Sequence, residues 1–208
     1  MCLHGLRRSA LLVATVRLVN VMSNASLCLH RLRISTPLGE LLALASEEGL
    51  CALEFPPRDG LAFHERLQRR LERWFPPHEI VDRETSVLAR TREWLSAYFD
   101  GATADMPPAD QLPLDLRGAP FERRVWAALI EIPPGTTSSY GAIAAKLNAP
   151  AASRAVGAAN GANPVSIIVP CHRVIGSSGK LTGYGGGLDR KKWLLDHEAR
   201  WRSQTRLF

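Results

Sequence analysis

The stretch Asn163-Pro164-Val165-Ser166-Ile167-Ile168-Val169-Pro170-Cys171-His172-Arg173-Val174-Ile175 sets a thiol directly beside an imidazole. A thiol attacks as its thiolate, and at a free pKa of about 8.5 only a few per cent is ionised near neutral pH. A neighbouring base raises that fraction, and a carboxylate fixes the imidazole's tautomer and steadies the cation it becomes. Glu198, twenty-seven residues after the cysteine, is the candidate carboxylate, and Asn163, eight residues before it, the candidate brace of the turn. Taken alone, a Cys-His pair more often marks a buried cysteine beside a surface histidine, so the surrounding sequence has to decide.

Upstream of this stretch the chain is helical. Phe121, Val125, Trp126, Leu129 and Ile130 repeat at helical spacing until Pro133-Pro134-Gly135 stops them. Ser139 caps a helix running to Lys146-Leu147, Asn148-Ala149-Pro150 makes a turn, and Ala151–Asn160 forms a second helix. Two short helices about a tight turn read as helix-turn-helix, with the second as recognition helix. Ala152, Ala155, Gly157, Ala158 and Ala159 make that helix thin enough to lie against a groove, with Arg154 as its one long cation; packing against the core is the rival reading.

Charge is distributed in keeping with this. Residues 1–114 hold 13 Lys+Arg and 14 Asp+Glu (−1), and residues 115–208 hold 13 and 6 (+7), which together make the net +6. All the excess positive charge lies with the Cys-His segment, as expected of a half that meets a polyanion; a basic domain with no nucleic-acid partner is the plainer alternative.

These motifs resemble the methylated-DNA–protein-cysteine methyltransferases, the O6-alkylguanine repair proteins. The resemblance runs from Pro120-Phe121 and Gly135–Gly141 through Asn163–Ile175, Ser178-Gly179 and Gly183-Tyr184-Gly185-Gly186-Gly187 to Lys191–Glu198, and continues more weakly back to about Leu27. It implies an α+β fold: a small N-terminal α/β (ribonuclease H-like) domain over 22–105, a linker over 106–116, and a mainly helical helix-turn-helix/alkyltransferase domain over 117–208. Residues 1–21 are expected to be an extended start or a disordered tail. Their apolar run is interrupted at Arg17 after seven residues, too short to span a bilayer, so no membrane association is expected.

The same resemblance implies a reaction. Double-stranded alkylated DNA is bound through the minor groove with weak sequence preference, and the damaged nucleotide is rotated out of the stack at a cost of a few kcal/mol. Arg154 fills the gap, Tyr140 pushes on the neighbouring phosphate, and Ala152, Ser153, Ala155 and Gly157 line the DNA-facing surface. The base enters a pocket formed by Val174, Tyr184 and Gly185, where Cys171 takes the alkyl group from O6-guanine, or from O4-thymine. His172, through a water, accepts the thiol proton, Glu198 holds His172, Asn163 braces the turn, and Tyr140 protonates the departing base. A thioether has no easy route to hydrolysis, so the protein acts once. Replacing His172 or Glu198 is expected to slow transfer while sparing the fold.

No cofactor and no metal are expected. The family's N-terminal zinc pattern is broken at Ser46 and Cys51, and four cysteines without regular spacing fit a reducing cytoplasm and a monomer. A cysteine hydrolase would need an oxyanion hole, which nothing in the sequence marks, and a non-catalytic relative that senses alkylated bases would lack the cysteine.

In the N-terminal region, strands are expected at 27–34, 40–45 and 50–55, and a helix from Val87 to Phe99. A further helix carries Leu61, Leu67, Leu71 and Trp74, with Arg66, Arg69, Arg70 and Arg73 as its solvated face.

Overall fold

The structure is a computed structural model and describes residues 27–56, 61–101 and 111–205; the expectations for residues 1–21 lie outside the described residues. Apolar residues alternating in part build β1 (Leu27–Thr36), and continuous apolar runs build β2 (Gly39–Ala45) and β3 (Leu50–Glu54), joined as antiparallel neighbours by tight turns. Gly39, at φ +104, takes the left-handed conformation that closes the first turn. Helix α1 (Leu61–Trp74) then crosses over to β4 (His78–Asp82), which lies parallel to β1 and completes the sheet order β3-β2-β1-β4. The sequence reading did not find β4. Its residues are almost all exposed, so the edge strand carries no apolar alternation to mark it.

The strand period of two divides the side chains between two cores. Leu42, Leu44 and Cys51 face α1, where they meet Phe63, Leu67 and Leu71. Leu41, Ala43, Leu50 and Leu53 face the opposite way, into a core shared with α2 (Ser86–Asp100) and the C-terminal half. Thr85 caps α2 through its hydroxyl, and Gly101 at φ +75 ends it. Its buried face carries Leu88, Trp94, Leu95 and Tyr98, with Phe99 partly buried beside them.

The C-terminal half is built from α3 (Pro120–Ile130), β5 (Ser138–Ser139), α4 (Tyr140–Lys146), α5 (Ser153–Gly161), β6 (Val174–Ile175) and α6 (Leu188–Thr205). Pro120 opens α3, and Glu122 accepts the Ala119 N–H at 2.7 Å. Ser139 caps α4 through Ala142 N at 3.1 Å. Asn148, at φ 56, turns the chain after α4 in the left-handed conformation that asparagine tolerates. Pro150–Ala152 form a single 3₁₀ turn, so α5 begins two residues later than the sequence suggests.

Backbone pairing joins the two halves. The free edge of β3 bonds Leu50 to Pro113 and Asp115, and Leu53 to Pro164 and Ser166, at 2.8–3.0 Å. That covers an edge which would otherwise expose unpaired donors and acceptors. Leu112 and Asp115, within the expected linker, are accordingly buried. Ser46 donates to Asp115 at 2.7 Å, and burial pushes the Cys51 thiol up to about 12. Among the described residues no helix is long and apolar enough to cross a membrane.

Trp126 is the largest fully buried side chain. It lies edge-on to Trp74 at 6.2 Å and donates Nε1–H to the Ala159 carbonyl at 2.8 Å. Trp126→Ala leaves a large cavity and an unpaired carbonyl, and should cost about 3–5 kcal/mol, read as a lowered urea midpoint with an unchanged m-value. A loss under 1 kcal/mol would contradict this packing.

Candidate active site

The active-site turn begins at Asn163, whose side chain closes it from within. Nδ2 donates to Val169 O at 2.8 Å and Oδ1 accepts from Val165 N at 3.0 Å. Between them Ile167 sits at φ +72 and is fully buried. A β-branched residue in the left-handed region costs on the order of 1–3 kcal/mol and persists only where its surroundings enforce it. The Leu53 pairing on one side and Asn163 on the other provide that constraint. The chain then enters a 3₁₀ turn, Cys171–Arg173, and β6 pairs in parallel with β5, matching Ser138 with Val174 and Ser139 with Ile175. This pairing brings Tyr140, the first residue of α4, to the same cavity as Cys171.

That cavity has a volume of about 550 Å³ and brings together Tyr140, Gly157, Asn163, Cys171, Tyr184 and Gly185. The Tyr140 hydroxyl lies 3.0 Å from Thr182 Oγ1, and its ring packs beside Gly157, where a Cβ would approach it to 3.8 Å. Tyr184 stands edge-on to the His172 ring at 6.4 Å. A Cβ on Gly185 would meet open space, whereas one on Gly186 would strike Tyr184 and Phe55. Val174 lies outside the cavity lining, buried, with its carbonyl taken by Lys191 Nζ at 2.6 Å. Arg154, Ala155, Ala152 and Ser153 also lie away from the cavity, at the start of α5; Arg154 and Ala155 are exposed.

Behind Cys171, His172 and Glu198 are both fully buried, with Nε2 and Oε1 2.8 Å apart. Glu198 also accepts from Tyr98 Oη (2.8 Å), Gly135 N (2.9 Å), Arg173 Nε (2.9 Å) and the second terminal nitrogen of Arg173 (2.9 Å). Burial opposes its charge, but these donors and the His172 and Arg173 partners outweigh burial and hold the carboxyl well below the usual carboxylate range. An ionised carboxylate can only accept, so His172 carries its proton on Nε2. Burial lowers the His172 pKa, so the ring is neutral. Its Nδ1, buried without a hydrogen-bond partner, is then a free base. Burial raises the Cys171 pKa, with the Asn163 hydrogen bond and the Lys191 charge only partly opposing it. Both directions favour a neutral thiol beside a neutral imidazole at rest.

Several residues of this arrangement went unassigned in the sequence. Arg173 and Tyr98 hold Glu198. Asn160 is buried at the cavity wall, with Nδ2 donating to the Cys171 carbonyl at 3.4 Å and Oδ1 unpartnered. Lys191 is fully buried, its ammonium donating to Val174 O and Thr182 O at 2.6 Å, which ties down the loop that carries Tyr184. Among the described residues no group of three or more His, Cys, Asp or Glu could hold a metal ion.

Fold and geometry together define a cysteine-centred candidate active site in a mixed α+β protein. Residues 120–200 match the family model of the 6-O-methylguanine DNA methyltransferase, DNA binding domain. A methylated-DNA–protein-cysteine methyltransferase of Salmonella typhimurium is 45% identical over 168 residues, covering 80% of this chain and 93% of that one. Another, from Mycolicibacterium paratuberculosis, is 61% identical over 108 residues, but the match spans only 52% of this chain and 63% of that relative's length. The crystal structure of Mycobacterium tuberculosis OGT in complex with DNA superposes with a TM-score of 0.66 at 39% identity, covering 84% of this chain and 94% of that one. The chain belongs to the methylated-DNA–protein-cysteine methyltransferase family.

Glu198 holds more than His172, so the expectation that its replacement spares the fold does not survive the geometry. Glu198→Gln leaves Arg173 buried without its counter-charge and should cost roughly 3–5 kcal/mol at neutral pH. A carboxyl whose folded-state pKa is depressed stabilises above its unfolded value of about 4.3, and that stability is lost as pH falls below it. The difference in unfolding free energy between the unmodified chain and Glu198→Gln should therefore be largest near neutrality and shrink below about pH 4. A difference independent of pH would contradict an ionised Glu198.

Proposed function

We propose that this protein repairs DNA by transferring the alkyl group of O6-alkylguanine, and of O4-alkylthymine, irreversibly to Cys171. The observation that carries the reading is the His172–Glu198 pair set behind a single cysteine in a cavity beside α4 and α5, in a chain of this family. The Sγ–carbon bond forms as the carbon–O6 bond breaks. The thiol proton passes through a water to His172 Nδ1, while the departing guanine takes a proton from the Tyr140 hydroxyl. His172 then releases its proton to solvent, from which the phenol is restored. A thioether resists hydrolysis, so each molecule reacts once and needs no cofactor.

Helix α4, the turn at Asn148 and helix α5 support a helix-turn-helix reading, with α5 in the minor groove of double-stranded DNA. The exposed Arg154 fills the space left by the extruded nucleotide, with Ala152, Ser153, Ala155 and Gly157 close to the backbone. Tyr184 and Gly185 receive the base, together with the main chain near Cys171 and Val174. Three antiparallel strands followed by a helix and a parallel fourth strand support the ribonuclease H-like reading of the N-terminal region. Free Cys28, Cys51 and Cys171 suit a monomer at work in a reducing cytoplasm.

Intact-mass measurement after incubation with O6-methylguanine duplex should find one methyl on Cys171 per molecule, with no activity afterwards. Many product equivalents per molecule would overturn the reading. Arg154→Ala should lose most activity on duplex, where nothing then offsets unstacking, and keep most on free O6-methylguanine base. Equal losses on the two substrates would instead assign Arg154 to packing of α5.

A further inference from the structure

Helix α1 carries Arg66, Arg69, Arg70 and Arg73 at positions i, i+3, i+4 and i+7, the spacing that places side chains on one face of a helix. The sequence reading gave that face to solvent. In the structure all four arginines line the cavity that holds Cys171, together with Tyr140 and Gly157. The four have different partners. Arg66 and Arg70 both pair with the nearly buried Glu54 of β3, Arg66 at 3.0 Å, and so fasten this face of α1 towards the cavity. Arg69 and Arg73 are exposed, and Glu72, the nearest acid in sequence, is engaged by Gln68 at 2.9 Å. The other acid of the lining, Glu122, accepts the Ala119 N–H at the start of α3. The lining thus holds four arginines against Glu54 and Glu122, a balance of +2, although residues 1–114, which supply all four arginines, carry a net charge of −1.

We propose that the Arg69–Arg73 edge of α1 is a second DNA-binding wall, gripping backbone phosphates of the strand that carries the extruded nucleotide from the side opposite α5. This rests on the alkyl-transfer reading, because a base that reaches Cys171 draws its flanking backbone across the cavity mouth. Guanidinium groups suit the task, since each can bind a phosphate through two parallel hydrogen bonds. Arg69 and Arg73 lie one helical turn apart, about 6 Å along the axis, and so present two donors in a row rather than a single point charge.

Phosphate contacts are counted by salt, since each one lost lowers the slope of log affinity against log salt by about 0.9. Binding of the full chain to O6-methylguanine duplex is measured across a salt series in a Cys171→Ser background, which prevents transfer. Arg69→Gln/Arg73→Gln should reduce the slope by about 2 and weaken binding on the order of tenfold near physiological salt. Arg69→Lys/Arg73→Lys should restore most of the slope. Arg83→Gln/Arg92→Gln makes the same change in net charge at positions outside the lining and should leave the slope as it was. Thermal unfolding of each variant separates a lost contact from a lost fold. Equal slopes for the α1 pair and the unmodified arginines, or equal changes in the α1 and control pairs, would overturn the proposal. Failure of the repair reading has a different signature: the chain with Cys171 intact then gains no methyl, whatever the slopes. A lowered slope without methyl transfer keeps α1 as a DNA-binding wall and removes only the chemistry.

Discussion

A buried carboxylate is tolerable only where enough donors surround it, and Glu198 draws its donors from three places in the chain. Tyr98 comes from α2, Gly135 from the turn after α3, and His172 and Arg173 from the active-site turn, while Glu198 itself stands on α6. Desolvating the charge without these partners would cost several kcal/mol, so their relative positions are fixed together. Tyr98 is itself set in place by Trp94 stacked at 5.4 Å and by Trp201 edge-on at 5.0 Å. The group that orients the candidate base is therefore the group that docks α6 against the N-terminal half. Changes in reactivity and changes in stability cannot be cleanly separated at this residue.

The same burial sets the resting state of the site. The Cys171 pKa is raised and the His172 pKa lowered, so both groups are neutral before substrate arrives. A neutral, buried thiol is a poor target for oxidants, which attack exposed thiolates. Any attack by the Cys171 sulfur then has to be coupled to proton removal, for which the unpartnered His172 Nδ1 is suited.

Much of this was legible in the sequence wherever local rules govern. The Ser139 cap, the turn at Asn148 and the helix ended by Pro133-Pro134 all follow from side chains that act on their own backbone. The candidate site was legible around Cys171 because its residues lie close together in the chain. What escaped was held by distant partners or by polar burial. The inward residues of α6 include Lys191, Leu194, His197, Glu198 and Trp201, three of them ionisable, so a search for apolar periodicity passes over the helix. Tyr98 lies 100 residues from Glu198, and no pattern in the chain joins them. The arginine stripe of α1 was visible as a stripe, but the surface it faces depends on Glu54, a strand residue whose own burial only the assembled fold decides.

The N-terminal half therefore does more than support the C-terminal half. Strand β3 pairs with the backbone on both sides of Val165, and this contact keeps the strained Ile167 in its left-handed conformation. Arg190 on α6 reaches back in turn. Its Nε donates to Leu38 O at 2.9 Å, one terminal nitrogen donates to Gly186 O at 2.9 Å, and its guanidinium lies 4.5 Å from the Phe55 ring centroid. The loop bearing Tyr184 is thus fastened on one side to the hairpin turn of the sheet and on the other to buried Lys191. A loop held at both ends can still adjust slightly near Gly185, where no neighbour crowds the backbone. It cannot swing far without breaking contacts to both halves, so the width of the cavity beside Cys171 is set jointly by the sheet and by α6.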